Sequence, residues 1–308
     1  MNIVVVGSLN MDLVVRMPQI PRPGETLLGG VFKTFPGGKG ANQAVAAARL
    51  GAHVTMIGCI GDDGFGKKMR VALESEGIDT THVLVHPEAA TGVALIQVDA
   101  QGQNSIAVAS GANFRLSGSD VDKAMQAIGK FDALVMPLET QLETVYTAVK
   151  IASVRGAIVI LNPAPAQVLP REILELVDVL IPNEHELALM TGVPVHSVVD
   201  VSLAVPKLLQ LGAKKVIVTM GGHGAVLFED GHEALIPACR VQAVDTTAAG
   251  DCFVGALAVA LCEGRSLLPA AEFASAAAAL SVTREGAQPS LPHREEVVQF
   301  LLERRKIQ

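Results

Sequence analysis

Two acidic residues flank a run of small residues in the last third of the chain, an arrangement suited to phosphoryl transfer. The run Asp245-Thr246-Thr247-Ala248-Ala249-Gly250-Asp251 precedes an apolar stretch typical of a helix. Small side chains let the backbone amides of 248 to 251 converge where that helix begins, and free N–H groups with the positive end of the helix dipole attract anions. A carboxylate at Asp251 then makes chemical sense as a base for a hydroxyl that attacks a phosphoryl group. The alternative is that Asp245 or Asp251 merely caps a helix.

A second group of polar residues is suited to a ligand with several hydroxyls. Asn10 and Asp12 follow the first apolar strand, and the segment Gly38-Lys39-Gly40-Ala41-Asn42 opens a helical pattern that stops at Gly51. Carboxylate, amide and ammonium groups form oriented hydrogen bonds, and leaving a buried partner unpaired costs roughly 1–3 kcal/mol. Such a cluster can discriminate between sugars, although each residue alone is also typical of a turn or a solvated charge.

Polar residues that follow later strands predict a nucleotide site. Asn183 and Glu186 have helical i,i+3 spacing, which suits either a phosphate with water-mediated Mg²⁺ or a capping box. Thr219, Gly221 and Gly224 predict a turn in which the absence of bulky side chains lets the backbone approach a triphosphate closely. Neither a P-loop nor a dinucleotide-binding fingerprint fits the glycines of this chain, which favours a kinase that uses a helix terminus.

Apolar runs of strand length alternate with helical patterns and predict an α/β fold with a mostly parallel sheet covered on both faces. The strands are expected at Ile3 to Val6, Val54 to Ile57, Ala133 to Met136, Ala157 to Leu161, Val177 to Ile181 and Val216 to Thr219. Two stretches break the pattern, at about 13–36 and 91–110, and the second reads as a hairpin. We expect one domain over 1–308, from which these stretches project as a small sheet.

Composition excludes several classes of protein. A net charge of −7 and a single Tyr leave neither a basic surface nor stacking platforms for nucleic acid. The absence of a basic leader and of a long apolar run predicts a cytoplasmic protein without membrane association. Four widely spaced cysteines predict no disulfide framework, and His82 with His86 lies in a strand-like segment that argues against a metal site.

The ordered set of motifs resembles the ribokinase (PfkB) family of sugar kinases over essentially the whole chain. Gly37 to Asn42 resembles the family's first signature and Asp245 to Asp251 its second. The segments in the same order are Gly7 to Asp12, Asn162 to Pro165, Asn183 to Glu186 and Thr219 to Gly221.

The resemblance implies a three-layer αβα sandwich with a small β-sheet lid, and ATP-dependent phosphorylation of D-ribose at O5 with Mg²⁺ and a K⁺ activator. It implies a homodimer formed through the lid. The implied catalytic residues are Asp251, Gly250, Ala249 and Ala248. The implied sugar contacts are Asn10, Met11, Asp12, Gly38, Lys39, Gly40, Ala41, Asn42, Glu139 and Asp251. The implied nucleotide contacts are Asn183, Glu186, Thr219, Met220, Gly221, Gly222, His223, Gly224, Gly250, Asp251 and Ser275. The implied K⁺ ligands, mostly backbone carbonyls, are Asp245, Thr247, Ser281, Arg284, Gly286 and Ser290.

Other substrates stay open at this stage. A kinase for 2-deoxyribose, another sugar or a nucleoside fits the same motifs, although the single Tyr gives little aromatic surface for a nucleobase. A non-catalytic sugar sensor is the alternative from a different class, and the presence of Asp251 in its small-residue loop argues against it.

Overall fold

The computed structural model describes residues 1–305, which form two β-sheets and ten α-helices. In chain order the elements are β1 (Asn2–Val6), β2 (Asn10–Arg16), β3 (Val31–Gly37), α1 (Lys39–Arg49), β4 (His53–Gly61), α2 (Gly64–Ser75), β5 (Asp79–His86), β6 (Gly92–Val98), β7 (Asn104–Ala109), a 3₁₀ turn (Gly111–Arg115), α3 (Gly118–Ile128), β8 (Ala133–Met136), α4 (Leu142–Val154), β9 (Ile158–Leu161), α5 (Arg171–Leu174), β10 (Val179–Leu180), α6 (Glu184–Thr191), α7 (Val198–Gln210), β11 (Lys215–Thr219), a 3₁₀ turn (Gly221–His223), β12 (Ala225–Glu229), β13 (His232–Ile236), α8 (Ala249–Cys262), α9 (Leu267–Ser281), a 3₁₀ turn (Gln288–Ser290) and α10 (Arg294–Arg305). Within residues 1–305, none of the helices has the length and apolar character needed to cross a membrane.

The main sheet has nine strands in the order β13-β12-β11-β10-β9-β8-β1-β4-β5. The seven strands from β11 to β5 run parallel, and β12 and β13 add an antiparallel edge. Strands buried on both faces must be apolar at every position, which is why continuous apolar runs predicted them. The prediction of a mostly parallel α/β sheet is confirmed.

Helices cover both faces of this sheet. Alternate residues of β1 divide between the two sides, because side chains point to opposite faces along a strand. Ile3 and Val5 pack with apolar residues of α1, α2, α8 and α9, whereas Val4 and Val6 pack with those of α3, α4, α6 and α7. The three-layer arrangement follows from this division.

The small sheet has four strands in the order β3-β2-β6-β7. The pair β6–β7 is the hairpin that the sequence predicts, and β2 pairs with β6 in parallel. The predicted boundary at residue 13 is wrong, because β2 begins at Asn10 and pairs with Gly37 from its first residue. Asn10 and Asp12 therefore lie in a strand of the lid and are not turn residues. The assignment of the whole chain to one domain stays a prediction.

Candidate active site

Several predicted site residues lie at the carboxyl ends of parallel strands of the main sheet. Asn10 and Asp12 come after β1, Glu139 after β8, Asn183 after β10, and Thr219 ends β11. The chain places β4 on one side of β1 and β8 on the other, and a crevice opens at such a switch point in open α/β sheets. The topology therefore gathers residues from both halves of the chain at one edge of the sheet.

The carboxylate of Asp251 is buried in the first turn of α8 and accepts hydrogen bonds from two amide side chains of α1. Asn42 Nδ2 donates to Oδ2 at 2.9 Å, and Gln43 Nε2 donates to Oδ1 at 3.1 Å. Gln43 Nε2 also donates to Asn162 Oδ1 at 3.2 Å, and Asn162 Nδ2 donates to the carbonyl of Ile181 at 2.9 Å. The Ile181 carbonyl can only accept, so Asn162 must point its Nδ2 toward it and its Oδ1 toward Gln43. Gln43 in turn must point its Nε2 toward Asn162 and Asp251. Asp251 accepts on both oxygens, as an ionised general base does.

Lys39 is a half-buried ammonium beside three buried carboxyl groups, those of Asp12, Glu186 and Asp251, and the half-buried carboxyl group of Glu139. Burial raises the pKa of Asp12 to about 7, the charges of Glu139 and Asp251 add to this rise, and Lys39 opposes it. Burial also raises the pKa of Glu139 and of Asp251 against the attraction of Lys39. Burial alone would lower the pKa of Lys39, but the attraction of Asp251, Glu139, Glu186 and Asp12 raises it. Lys39 is therefore a permanent cation that favours the ionised form of Asp251.

Ser8 connects Glu139 to the start of α1. Its hydroxyl donates to Glu139 Oε2, and the same carboxylate oxygen accepts from the Lys39 amide at 3.2 Å. The Gly40 amide donates to Ser8 Oγ at 3.2 Å, so each group in this cluster is paired. A Cβ at Gly40 would lie 2.6 Å from the Ser8 amide nitrogen, which explains why glycine stands in this part of the signature.

Two predicted sugar contacts lie in the hydrophobic core. Met11 points away from the face of β2 that carries Asn10 and Asp12, and Ala41 is fully buried in α1. Both side chains pack against the sheet, so only backbone atoms of these two residues are left for the sugar, and their contact with it stays a prediction.

Ala248 precedes the first residue of α8 and adopts a left-handed conformation with φ 61°. No side chain caps this helix, so the alternative that Asp245 or Asp251 serves only as its cap is wrong. The Ala249 amide donates to the carbonyl of Thr246 at 3.3 Å, so one of the four amides predicted to bind an anion has a protein acceptor. The other amides at the start of α8 belong to the same turn as the buried carboxylate of Asp251.

Both readings of Asn183 and Glu186 remain compatible with the structure. Asn183 Oδ1 accepts from the Glu186 amide, Glu186 Oε2 accepts from the Asn183 amide, and each distance is 2.8 Å. This is the predicted capping box of α6. Asn183 also pairs with Thr219 as an isolated parallel bridge, so the two nucleotide candidates lie side by side.

The predicted glycine turn follows β11 directly. The Met220 amide donates to the Gly224 carbonyl at 2.8 Å, and the Gly224 amide donates to the Gly221 carbonyl at 3.1 Å. Gly224 has φ 92°, and a Cβ there would overlap the Ile236 carbonyl of the neighbouring strand. Gly222 and His223 are exposed at the tip of the turn, and Ser275 lies half-buried on α9.

Asp245 joins the two loops predicted to hold K⁺. Its Oδ1 accepts from the Thr247 amide at 3.0 Å and from the Thr247 hydroxyl at 2.6 Å, and its Oδ2 accepts from the Gly286 amide at 3.0 Å. The Val244 and Asp245 amides donate to the carbonyl of Val282 at 2.7 and 3.2 Å. Burial would raise the pKa of Asp245. The hydrogen bonds that its carboxylate accepts from Thr247 and Gly286, together with the charge of Arg16, outweigh burial and lower that pKa.

Three other predicted K⁺ ligands have their side chains engaged elsewhere. The hydroxyl of Ser281 donates to the Ala278 carbonyl and that of Ser290 to the Ala287 carbonyl, each at 2.8 Å. The guanidinium of Arg284 pairs with Glu296. Arg284 is thus left with only its backbone oxygen for a cation, whereas the two serine hydroxyls keep lone pairs that a cation could use.

The lid sheet covers a cavity of about 280 Å³. Asp12, Arg16, Lys33, Phe35, Asp245 and Gly286 are among the residues that line it. Two ion pairs join lid and body across it: Arg16 lies 3.8 Å from Asp245, and Lys33 lies 3.2 Å from Glu285. The lid is therefore held against the loops on either side of the anion site.

Within residues 1–305, no three His, Cys, Asp or Glu side chains are grouped so as to hold a metal ion. His82 and His86 lie in strand β5, as the sequence predicts, and Cys59, Cys239, Cys252 and Cys262 are free thiols.

Three amide side chains of the site have no counterpart among the predicted site residues. They are Gln43, Asn113 and Asn162, and all three are at least nine-tenths buried. Asn162 stands in a motif that the resemblance includes, and Gln43 follows Asn42 directly. Asn113 carries no sequence signal beyond its polar type in an otherwise small and apolar segment.

Comparison with known proteins gives one consistent family. Residues 1–294 match the pfkB family carbohydrate kinases. A ribokinase from Haemophilus influenzae is 47% identical over 297 residues, which cover 96% of this chain and 97% of the relative. A deoxyribokinase from Salmonella typhi is 42% identical over 302 residues, which cover 98% and 99%. The structure of Arabidopsis thaliana ribokinase complexed with ribose and ATP has a TM-score of 0.89 to this chain at 35% identity, and the match covers 97% and 98%.

Proposed function

The chain belongs to the pfkB family of carbohydrate kinases, and from this premise we propose that it phosphorylates D-ribose at O5 with ATP as the donor. The observation that carries the proposal is the state of Asp251. It is a buried carboxylate at the N-terminus of α8 that accepts hydrogen bonds on both oxygens from Asn42 and Gln43. A base held in this way beside a helix terminus matches the needs of an attacking hydroxyl and a phosphoryl group.

Each group in the site has a role in this reaction. Asp251 takes the proton from O5 as O5 attacks the γ-phosphorus, and the bond from that phosphorus to the bridging oxygen of ADP breaks. The amides at the start of α8 hydrogen-bond the transferring phosphoryl group, and the Lys39 ammonium keeps Asp251 ionised before the proton moves. The lid excludes water, which would otherwise accept the phosphoryl group.

The sugar and the nucleotide occupy opposite ends of the crevice in this proposal. The hydroxyls of ribose are bound by buried or half-buried polar side chains around Asp251, namely Asn10, Asp12, Lys39, Asn42 and Glu139. The nucleotide lies along Asn183, the turn that follows Thr219, and Ser275. Glu186 is the nearby carboxylate that would hold the water shell of Mg²⁺, and the ion, when bound, would supply positive charge to the triphosphate. ATP as donor is consistent with a cytoplasmic location.

A K⁺ ion between the two loops is part of the proposal. The residues fit such an ion, because Asp245 brings a carboxylate of lowered pKa into contact with Gly286 and Thr247, and the loops around it offer backbone oxygens. When bound, the ion would supply positive charge that fixes both loops and so orients the amides of α8.

We also infer that two copies of this chain associate through their lids. The lid face opposite the cavity carries Phe32 and Leu95, which are 60% and 53% exposed. Burial of such residues against a second lid removes apolar surface from water. The oligomeric state is measured by analytical ultracentrifugation, with Phe32→Asp as the variant expected to dissociate.

One assay tests the central proposal. Production of ADP is measured with ribose, with 2-deoxyribose and without sugar, and the position of the phosphate is read by ³¹P–¹H NMR. We expect ribose-dependent ADP formation and a phosphate on O5. Phosphorylation of 2-deoxyribose is the second candidate, favoured by the Salmonella typhi relative, and equal kcat/KM for both sugars would support it. ADP formation that no sugar stimulates would contradict both.

A further inference from the structure

We propose that Asn113, in the 3₁₀ turn Gly111–Arg115, is a positioning residue that makes Asn10 a hydrogen-bond donor toward the sugar and thereby sets the preference for a hydroxylated ring carbon. The inference rests on the proposed function and adds a determinant of sugar choice that does not itself touch the substrate.

The orientation of the Asn113 amide is fixed by the backbone of Leu9. The Leu9 amide donates to Asn113 Oδ1 at 2.9 Å, and Asn113 Nδ2 donates to the Leu9 carbonyl at 3.3 Å. A backbone N–H can only donate and a carbonyl can only accept, so turning this amide would break both hydrogen bonds. Asn113 is only 1% exposed, and water cannot replace the lost partners at low cost.

This orientation determines the orientation of Asn10. Asn113 Nδ2 donates its second hydrogen to Asn10 Oδ1 at 2.7 Å. The carbonyl end of the Asn10 amide is thus engaged, and its Nδ2 has no acceptor among the residues that the structure describes. Asn10 therefore presents N–H groups, and not a carbonyl oxygen, to a ligand.

The surrounding backbone is built to admit this amide pair. A Cβ on Gly92, which pairs with Asn10 across the lid sheet, would overlap both Asn10 Oδ1 and Asn113 Nδ2. The turn itself is anchored to the start of β6, since the Ala112 amide donates to the carbonyl of Ala90 at 2.8 Å. Strand β2, strand β6 and the 3₁₀ turn thus meet at the hydrogen bond from Asn113 to Asn10.

The consequence for the sugar follows from the next residue on the same face. Asp12 lies two positions along β2 from Asn10, so a donor and an acceptor stand side by side. Adjacent hydroxyls of a sugar match such a pair, because each hydroxyl can accept from one group and donate to the other. A sugar that lacks one of these hydroxyls leaves a buried partner unpaired, and its binding is weaker.

The test uses the full-length protein and two sugars. Asn113→Ala removes the group that holds Asn10, and Asn113→Asp keeps the shape but replaces the donor to Asn10 with an acceptor, which favours the reversed Asn10 amide. The matched control is Thr144→Val, which removes a buried hydrogen bond of 2.6 Å to the Leu116 carbonyl just after the same turn. kcat and KM for ribose and for 2-deoxyribose are measured for each protein.

We expect the ratio of kcat/KM for ribose to that for 2-deoxyribose to fall at least about fivefold in Asn113→Ala and further in Asn113→Asp. The change should lie in KM for ribose, because a contact made equally to the bound sugar and to the transition state changes KM and leaves kcat unaltered. Thr144→Val should keep the wild-type ratio. If one Asn113 variant does not fold, the other decides.

Two results would overturn the role of Asn113 alone. A ratio that stays within twofold of wild type in the folded Asn113 variants would show that Asn10 needs no such support. An equal fall of the ratio in Thr144→Val would show a general effect of loosening the turn. A wild-type protein that phosphorylates neither sugar would instead overturn the proposed function.

Discussion

At the scale of single residues, the site concentrates ionisable groups from which water has been removed. Asp12, Glu139 and Asp251 each have a raised pKa because of burial, and Lys39 is the cation among them. An arrangement of this kind destabilises the folded protein without substrate, since charged groups lose hydration that their mutual contacts replace only in part. Raised pKa values of this origin are characteristic of sites that bind or transfer protons.

Asp251→Asn tests the general base. An amide cannot accept the proton from O5, so kcat should fall by roughly 10²- to 10⁴-fold, while KM for ribose should change little because the side-chain shape is kept. Steady-state kinetics of ADP release measure both values. Asp178→Asn, which changes a half-buried carboxylate just before the amino end of β10 that pairs with Lys214, serves as the control. Retention of more than about a tenth of the wild-type kcat would contradict the assignment.

Asp12→Asn tests the cost of the buried cluster. The pKa of Asp12 is raised from 3.8 to about 7, so between these pH values the folded protein keeps a proton that the unfolded chain has lost. The contribution of Asp12 to stability therefore decreases as pH rises from about 4 to 7 and stays low above pH 7. Asp12→Asn should raise the free energy of unfolding by roughly 1–3 kcal/mol at pH 8 and by clearly less at pH 5.

Urea denaturation of the sugar-free protein at both pH values measures this difference. Binding of ribose should weaken in the same variant, because the acceptor for a hydroxyl is lost. A stability gain that is equal at pH 5 and pH 8 would contradict the link to Asp12.

Sequence reasoning found the charged residues of the site and some of its amides, such as Asn10 and Asn42, but it missed those of Gln43, Asn113 and Asn162. Asp251 and Lys39 stand in motifs whose small neighbours restrict their chemistry, so residue type and spacing predict them. The contacts of Gln43 with Asn162 and of Asn113 with Leu9 join positions 119 and 104 residues apart. Such pairs have no periodicity in the sequence, and only the packed sheet brings them together.

At the scale of elements, the parallel strands were predictable because burial on both faces requires continuous apolar runs. The edge strands β12 and β13 were not predicted, although Asp230-Gly231 between them is a common two-residue hairpin turn and both residues have positive φ. Most residues of β13 are exposed or half-exposed, so its sequence lacks the continuous apolar run that predicts a buried strand.

The contact between α1 and α8 determines how the base is held. Gly255 on α8 lies against α1, and a Cβ there would be 2.7 Å from both Ala46 Cβ and the Gln43 carbonyl. α1 carries Asn42 and Gln43, and α8 carries Asp251, so the distance between these helices sets the length of both hydrogen bonds to the base. The absence of a side chain at Gly255 is therefore a requirement of the site as well as of the core.

Gly255→Val tests this coupling. The added side chain should push the helices apart, lower kcat by about tenfold or more, and destabilise the fold by roughly 1–3 kcal/mol through overpacking. kcat and thermal unfolding are measured together. Gly64→Ala, at the start of α2 with open space around its Cβ, is the control expected to change neither. An unchanged kcat in a destabilised Gly255→Val protein would separate the packing from the chemistry and contradict the coupling.

At the scale of the whole molecule, the site is closed by parts that are distant in the sequence. The lid strands carry Arg16 and Lys33 across the cavity to Asp245 and Glu285, which belong to the two loops beside α8. The second of these loops follows α9, and the hydrogen bond from the Gly286 amide to Asp245 ties it to the first. Lid position and the orientation of the α8 amides are thus mechanically connected through Asp245.

A monovalent cation bound at this junction should activate the enzyme without contacting ATP. Turnover should rise when K⁺ replaces Li⁺ or tetramethylammonium at constant ionic strength, because an ion of suitable size orders both loops and preorganises the anion site. Initial rates at saturating ribose and ATP measure the effect, and Asp245→Ala should abolish it by removing the carboxylate that joins the loops. Glu285→Ala is the matched control, since it removes a neighbouring acidic side chain that pairs with the lid and leaves Asp245 in place. Equal wild-type rates in all three cations would show that no such site acts in catalysis, even if ribose is the substrate.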